Sequence, residues 1–413
     1  MIERLRIPSW PRYERDVWLL SLSSALIGGS FLGMMSLLMV LYMLRLGFGP
    51  EFVGVVLGAG SATWMLGSLV GGALGDRYGT RRTMIGGALL CVVGITLLPL
   101  TETVPLSWRA AWLLLAQLVV TTGWAMLMVN QIAAMMAFTT VENRQGAYAM
   151  REAMTGFGIF AGMLVGGMLP GLFTGLAGAS LDHPAPYRCA LWVAVVMALI
   201  GLVPLWMIRP AEVVRSKDGA RKAMPPLLPL ILLTAAGLLT NGAVATCRAF
   251  ASAYLDRVFA LPPSVTGAVS SVGQILAVPA SLSVPYLARR HRGSDGVMIV
   301  ASFGLTAFLL LVGLGRWWGM AGLGIVGVFA LSALWTPAYQ ILQMEMSAPE
   351  WRATVAGAAS TAGSLGFGLV SFGGGYIATA VGYHHLFLLG ALLALLSGLV
   401  TRYAARRSPP APM

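Results

Sequence analysis

The chain has 413 residues, of which 57% are hydrophobic and only 10% charged, with a mean hydropathy of +0.80. Soluble domains carry about 25% charged residues, so this composition excludes an ordinary soluble protein. A net charge of +12 raises nucleic acid as a partner, but the arginines punctuate apolar runs, and the positive-inside rule for membrane proteins accounts for them better.

Residues 1–16 are polar and contain Arg4, Arg6, Arg12 and Arg15. They lack the short apolar core and small-residue cleavage site of a secretory signal, and are expected to remain as a cytoplasmic tail. Apolar spans follow near 17–44, 51–75, 82–101, 109–139, 145–170 and 187–208. Each approaches or exceeds the roughly 20 residues that cross a bilayer. A basic cytoplasmic loop, 209–226, separates them from six more spans near 227–257, 262–288, 296–315, 319–346, 352–380 and 385–404, and a second tail covers 405–413. The expected fold is all-α and integral to the membrane: twelve transmembrane helices in two six-helix bundles, 17–208 and 227–404, with both termini cytoplasmic. In that orientation 21 of the 27 Lys and Arg lie inside. Arg45, Arg109, Arg188, Arg257 and Arg316 fall one to each outer loop, and Arg248 lies within a span.

The halves repeat. The stretch Phe48-Gly49-Pro50-Glu51-Phe52-Val53-Gly54 resembles Leu261-Pro262-Pro263-Ser264-Val265-Thr266-Gly267, an offset of 263 − 50 = 213. Glu142-Asn143-Arg144 resembles Glu350-Trp351-Arg352, an offset of 350 − 142 = 208. Two unrelated marks at nearly the same offset argue for a duplicated six-helix unit.

Between the second and third spans runs Gly72-Ala73-Leu74-Gly75-Asp76-Arg77-Tyr78-Gly79-Thr80-Arg81-Arg82. Lipid tails cannot solvate one acid and three arginines, so this turn belongs at the membrane–water boundary, on the cytoplasmic side. Gly72 and Gly75 share a helix face and admit a close neighbour. The order G-x-L-x-D-R-x-G-x-R-R resembles the loop between helices two and three of the major facilitator superfamily, a likeness that extends over roughly residues 15–404. Two six-helix halves repeated in parallel are a known property of that superfamily.

The resemblance implies a secondary carrier working by alternating access, with helices one, four, seven and ten lining a central cavity. It also implies that Asp76 meets the N-terminus of helix eleven near Arg352, where unpaired amides carry partial positive charge. That contact would hold the halves together on the inside while the carrier faces out. Gly72, Asp76, Arg77, Gly79, Arg81, Arg82, Arg144, Glu152, Arg289 and Arg352 are the expected gating set. The plainer reading makes the turn a topology signal alone. In the second half the acid is gone, and Arg289 or Arg290 is expected to meet Glu142 or Glu152 instead. Helix five keeps the glycine spacing of the drug–proton antiporters of the superfamily, but Met163 stands at their proline and Val119 at their helix-four arginine. The glycines serve equally as a packing seam.

No carboxylate falls at the membrane midplane; Glu152 and Glu345 lie one or two turns inside, near the cytoplasm. This favours facilitated exchange, or coupling to an ion such as the proton through one of those two. Arg248 reads as an anion ligand if it faces the cavity, and otherwise as a snorkelling anchor or a partner of Asp256. Other polar groups at cavity depth are Gln117, Asn130 and Gln131 on helix four, Asn241 on helix seven, Gln274 on helix eight, and Tyr339, Gln340 and Gln343 on helix ten. Phe31, Trp124 and Trp335 supply aromatic walls. Together they describe a mildly polar cavity for an amphipathic organic solute.

Three cysteines make no disulfide framework, and four scattered histidines make no metal or catalytic site. There is no Walker lysine, so ATP does not drive transport within this chain. No cofactor and no enzyme activity are expected. The reading is a monomeric secondary transporter of a small organic solute in the inner (plasma) membrane, leaning to efflux. Its alternatives are an uptake or exchange carrier for an organic anion, and a non-transporting sensor on a carrier fold.

Overall fold

A computed structural model describes residues 13–140, 143–210, 227–290, 293–346 and 352–407. Most of the tails and most of the central basic loop therefore lie outside the described residues, as does Glu142. Among the described residues, twelve helices are long and apolar enough to span a membrane. They are α1 (Arg15–Arg45), α2 (Pro50–Tyr78), α3 (Thr80–Leu97), α4 (Arg109–Ala137), α5 (Arg144–Ala177) and α6 (Ala185–Met207). The second half supplies α7 (Leu227–Phe259), α8 (Pro263–Leu282), α9 (Ser294–Leu314), α10 (Trp318–Met346), α11 (Arg352–Ala380) and α12 (Tyr383–Arg407). Lipid offers no partner to a backbone amide, so each span must close its own hydrogen bonds. α1 widens to a π-helical turn over Gly29–Met35.

The eighth span, expected as one helix over 262–288, ends at Leu282 and resumes as a short helix, Val284–Arg290. Pro285 has no amide hydrogen to carry the ladder through. The turn after α2 closes on Gly79 at φ +89° and its counterpart in the second half closes on Gly293 at φ +127°, a backbone that L side chains rarely adopt.

Packing within each half follows the repeat. On Gly158 of α5, an added Cβ would strike the Ala25 carbonyl of α1; on Gly366 of α11 it would strike the Leu238 carbonyl of α7. The offsets are 238 − 25 = 213 and 366 − 158 = 208, the same two found in the sequence. Packing between the halves repeats as well. A Cβ on Gly54 of α2 would strike the Ser371 carbonyl of α11 and approach Gly375 Cα to 3.2 Å, and one on Gly375 would lie 2.8 Å from Glu51 Cα. In the exchanged pair, a Cβ on Gly267 of α8 would lie 2.7 Å from the Met163 carbonyl, and one on Gly167 of α5 would lie 2.7 Å from the Pro263 carbonyl. Again 267 − 54 = 213 and 375 − 167 = 208. The two halves therefore meet along two symmetry-related seams, α2 on α11 and α5 on α8, where only glycine lets the backbones touch.

With twelve crossings, both ends of the described chain lie on one face, here called the terminus face. All four seam glycines lie near the opposite face.

Candidate functional site: a cavity between the halves

A cavity of about 1250 Å³ lies between the halves. Gln117 and Trp124 of α4, Asn241 and Arg248 of α7, and Gln274 of α8 line it. So do Tyr339, Gln340 and Gln343 of α10, together with Phe31 and Trp335. Two aromatic contacts stiffen its wall: Phe31 tilts against Trp124 with ring centroids 5.7 Å apart, and Trp335 stacks on Tyr339 at 4.5 Å. Gln117 Oε1 and Trp335 Nε1 are buried without a hydrogen-bond partner, an acceptor and a donor left unsatisfied in this conformation.

Asn130 and Gln131 are buried elsewhere. Asn130 Nδ2 donates to the Gly71 carbonyl of α2 at 2.8 Å and to Met126 at 2.9 Å, and its Oδ1 occupies the place that a Cβ on Gly75 would take. It clamps α2 to α4. Gln131 accepts a 2.8 Å hydrogen bond from Ser24 Oγ of α1. Asn130→Ala is expected to cost about 0.6–1.7 kcal/mol, the range for a polar bond between membrane helices. Thermal unfolding should fall by a few degrees while solute binding is unchanged.

The face opposite the termini is shut. Arg45, at the end of α1, grips Asp256 of α7 through two parallel hydrogen bonds of 2.9 and 2.5 Å. Arg45 also donates to the Leu181 carbonyl at 2.9 Å and lies 5.7 Å from the Tyr187 ring centroid. Thr379 of α11 donates to Glu51 of α2 at 2.6 Å, and Glu102 binds both Tyr42 at 3.0 Å and Arg188 at 2.9 Å. Arg257 reaches the Leu44 carbonyl at 3.5 Å. The loop arginines read from sequence as topology marks thus also knit this face together. Asp256 is engaged by Arg45 and not by Arg248.

The terminus face is looser. A Cβ on Gly72 would meet only Val129 of α4, at 3.9 Å, and one on Gly357 of α11 would meet nothing within 4 Å. The cavity reaches this face at Glu345 and Ala356. Asp76, Arg77 and Arg82 are exposed around the glycine turn, with the Arg77 guanidinium 5.3 Å from the Tyr78 ring centroid. Arg81 donates to the Trp206 carbonyl of α6 at 2.6 Å, and Arg144 reaches Thr139, past the end of α4, at 3.5 Å. The Arg352 side chain lies outside the described residues. Glu152 is ion-paired with its neighbour Arg151. Arg289 and Arg290 are exposed, and among the described residues no ion pair joins either of them to Glu152. Arg209 donates to Asp16 at 2.8 Å, tying the exit of α6 to the start of α1. That carboxylate holds the Arg209 guanidinium above its ordinary pKa.

Sequence reasoning missed the Arg45–Asp256 seal and several cavity residues, among them Met35, Met39, Trp64 and Phe329. A signal for the seal was present: an arginine and an acid at the same end of the equivalent helices α1 and α7. The methionines and aromatics carry no mark that separates a cavity wall from ordinary helix packing.

Residues 17–371 match the family model described as Major Facilitator Superfamily. Solved structures with the same fold share little sequence. A bacterial homologue of the human lysosomal transporter Spinster, in an inward-facing and occupied conformation, superposes with a TM-score of 0.74 at 15% identity, covering 96% of this chain and 98% of its own. A D-xylose–proton symporter gives 0.74 at 14%, covering 96% and 98%. The human organic anion transporter MFSD10 gives 0.64 at 16%, covering 94% and 99%. The chain belongs to the major facilitator superfamily.

Proposed function

We propose that the protein carries a small organic solute across the membrane by alternating access, with both termini cytoplasmic and efflux the favoured direction. The observation that carries this reading is the cavity between the halves, shut at one face by symmetry-related glycine seams and reaching the other. With the termini inside, this conformation faces inward. Membership of the superfamily supports a transporter over an enzyme, and the solutes in the neighbours' names, a sugar and organic anions, support a small organic cargo. The partial helix-five glycine pattern supports efflux. If an ion is coupled, Glu345 at the cavity mouth is better placed than Glu152, which is engaged by Arg151.

The test is counterflow in proteoliposomes with a panel of labelled sugars, nucleosides, organic anions and organic cations. At least one should exchange above empty liposomes; none doing so would favour the sensor reading. The turn at Asp76 has its own outcome. Docking of this carboxylate on the N-terminus of α11 stabilises the outward-facing form by up to about 2 kcal/mol. Asp76→Asn should therefore slow counterflow about tenfold or more, with little change in thermal stability. Unchanged counterflow would reduce the turn to a topology signal.

A further inference from the structure

We propose that the cavity selects organic monoanions, with the acidic group held by Arg248 and an apolar body lying between Phe329 and the Trp335–Tyr339 stack. This rests on the reading of the cavity as the solute site.

Arg248 is the one basic side chain among the cavity-lining residues, and its exposed surface faces that cavity. Its guanidinium lies 5.9 Å from the Phe329 ring centroid, so one flank is covered by an aromatic face. Among the described residues no carboxylate pairs with it. Asp256 is held by Arg45. Glu345 shares the cavity but lies 16 residues beyond Phe329 on α10, about 24 Å along the axis at 1.5 Å per residue. An uncompensated charge at membrane depth is costly and marks a functional site by default. A planar guanidinium presents a fork of donors that fits a carboxylate, sulfonate or phosphate edge.

The surroundings narrow the class. Gln117 and Gln274 lie at nearly the same depth as Arg248, counted along α4 and α8 from the sealed face, so amides and one cation form a single polar tier. A single cation compensates one negative charge, which disfavours dianions. From Phe329 toward the terminus face, Trp335 comes six residues later, about 9 Å along the axis. Phe31, Met35 and Trp64 complete an apolar wall. A polyol would leave most of that surface unused, and an organic cation would face Arg248.

The test compares 1-naphthaleneacetate with 1-naphthaleneethanol, nearly the same shape with and without the charge, by calorimetric titration of the full chain in nanodiscs. The anion should bind about tenfold or more tightly than the alcohol, the weight of one hydrogen-bonded charge pair. Arg248→Gln should erase that preference and keep alcohol binding; Arg248→Lys should keep part of it. Equal affinity of the wild type for both probes would overturn the proposal while leaving the cavity as a solute site. So would a preference for the anion that persists in Arg248→Gln. If the wild type binds neither probe, the proposal is overturned, while the cavity reading stands or falls by the counterflow panel. The wild-type contrast decides even if Arg248→Gln does not fold.

Discussion

Replacing Gly54 and Gly267 together by leucine is expected to abolish counterflow in a protein that still folds. Each side chain would enter a seam where even a Cβ meets a backbone carbonyl of the other half: Ser371 for Gly54, Met163 for Gly267. Overpacking costs about 1–3 kcal/mol per site. The sites lie on different helix pairs, so their effects should add, disfavouring the sealed form by about 2–6 kcal/mol. At about 1.4 kcal/mol per factor of ten, that is a population shift of roughly 30-fold to more than 10⁴-fold. A conformation whose seams have parted accommodates the leucines, so the penalty falls on one state and not on the fold. In a background lacking Cys91, Cys189 and Cys247, a cysteine at cavity residue Leu57 should become reactive to an impermeant maleimide added at the sealed face. Wild-type exchange in the double variant would mean that these seams do not separate during transport.

Asp256→Asn has the second-largest expected effect. It leaves the Arg45 guanidinium charged at a site where only 15% of its side chain is exposed, beside a Tyr187 ring that cannot neutralise it. Removing one partner of a buried pair costs about 3–5 kcal/mol, most of it for the stranded charge. Arg45 keeps its hold on Leu181 within the first half, so what is lost is the link across the halves. The sealed state should lose population by roughly 100-fold or more, visible as faster labelling at Leu57→Cys and slower exchange. Arg45→Ala/Asp256→Ala should recover much of the loss, because neither charge is then stranded. A double variant as impaired as Asp256→Asn would assign the effect to lost packing instead.

Much of the fold was legible because lipid permits few solutions. Apolar runs of bilayer length become helices, and duplicate marks at offsets 213 and 208 reappear as paired glycine contacts. Depth was legible as well: Gln117, Asn241, Arg248 and Gln274 reach the cavity from three helices. What surrounds a given depth was not. Gln131 lies seven residues from Trp124, on the same face of α4, yet α1 covers that face there through Ser24. Asn130 points instead at α2, against Gly71 and Gly75. A polar residue in a span signals a partner and not which partner, so helix clamps and cavity ligands look alike until the neighbours are known. The pairing of Arg45 with Asp256 spans 256 − 45 = 211 residues, and hydropathy carries no information about it.

Rocking of the halves about the cavity is tested most directly by two spin-label distances in one protein. One pair, at Leu46 and Arg257, reports the sealed face; the other, at Arg77 and Gly357, reports the terminus face. Moving from the wild type to Gly54→Leu/Gly267→Leu, alternating access predicts that the first distance lengthens while the second shortens. Two distances that lengthen together, or a first that changes while the second stays fixed, would contradict it.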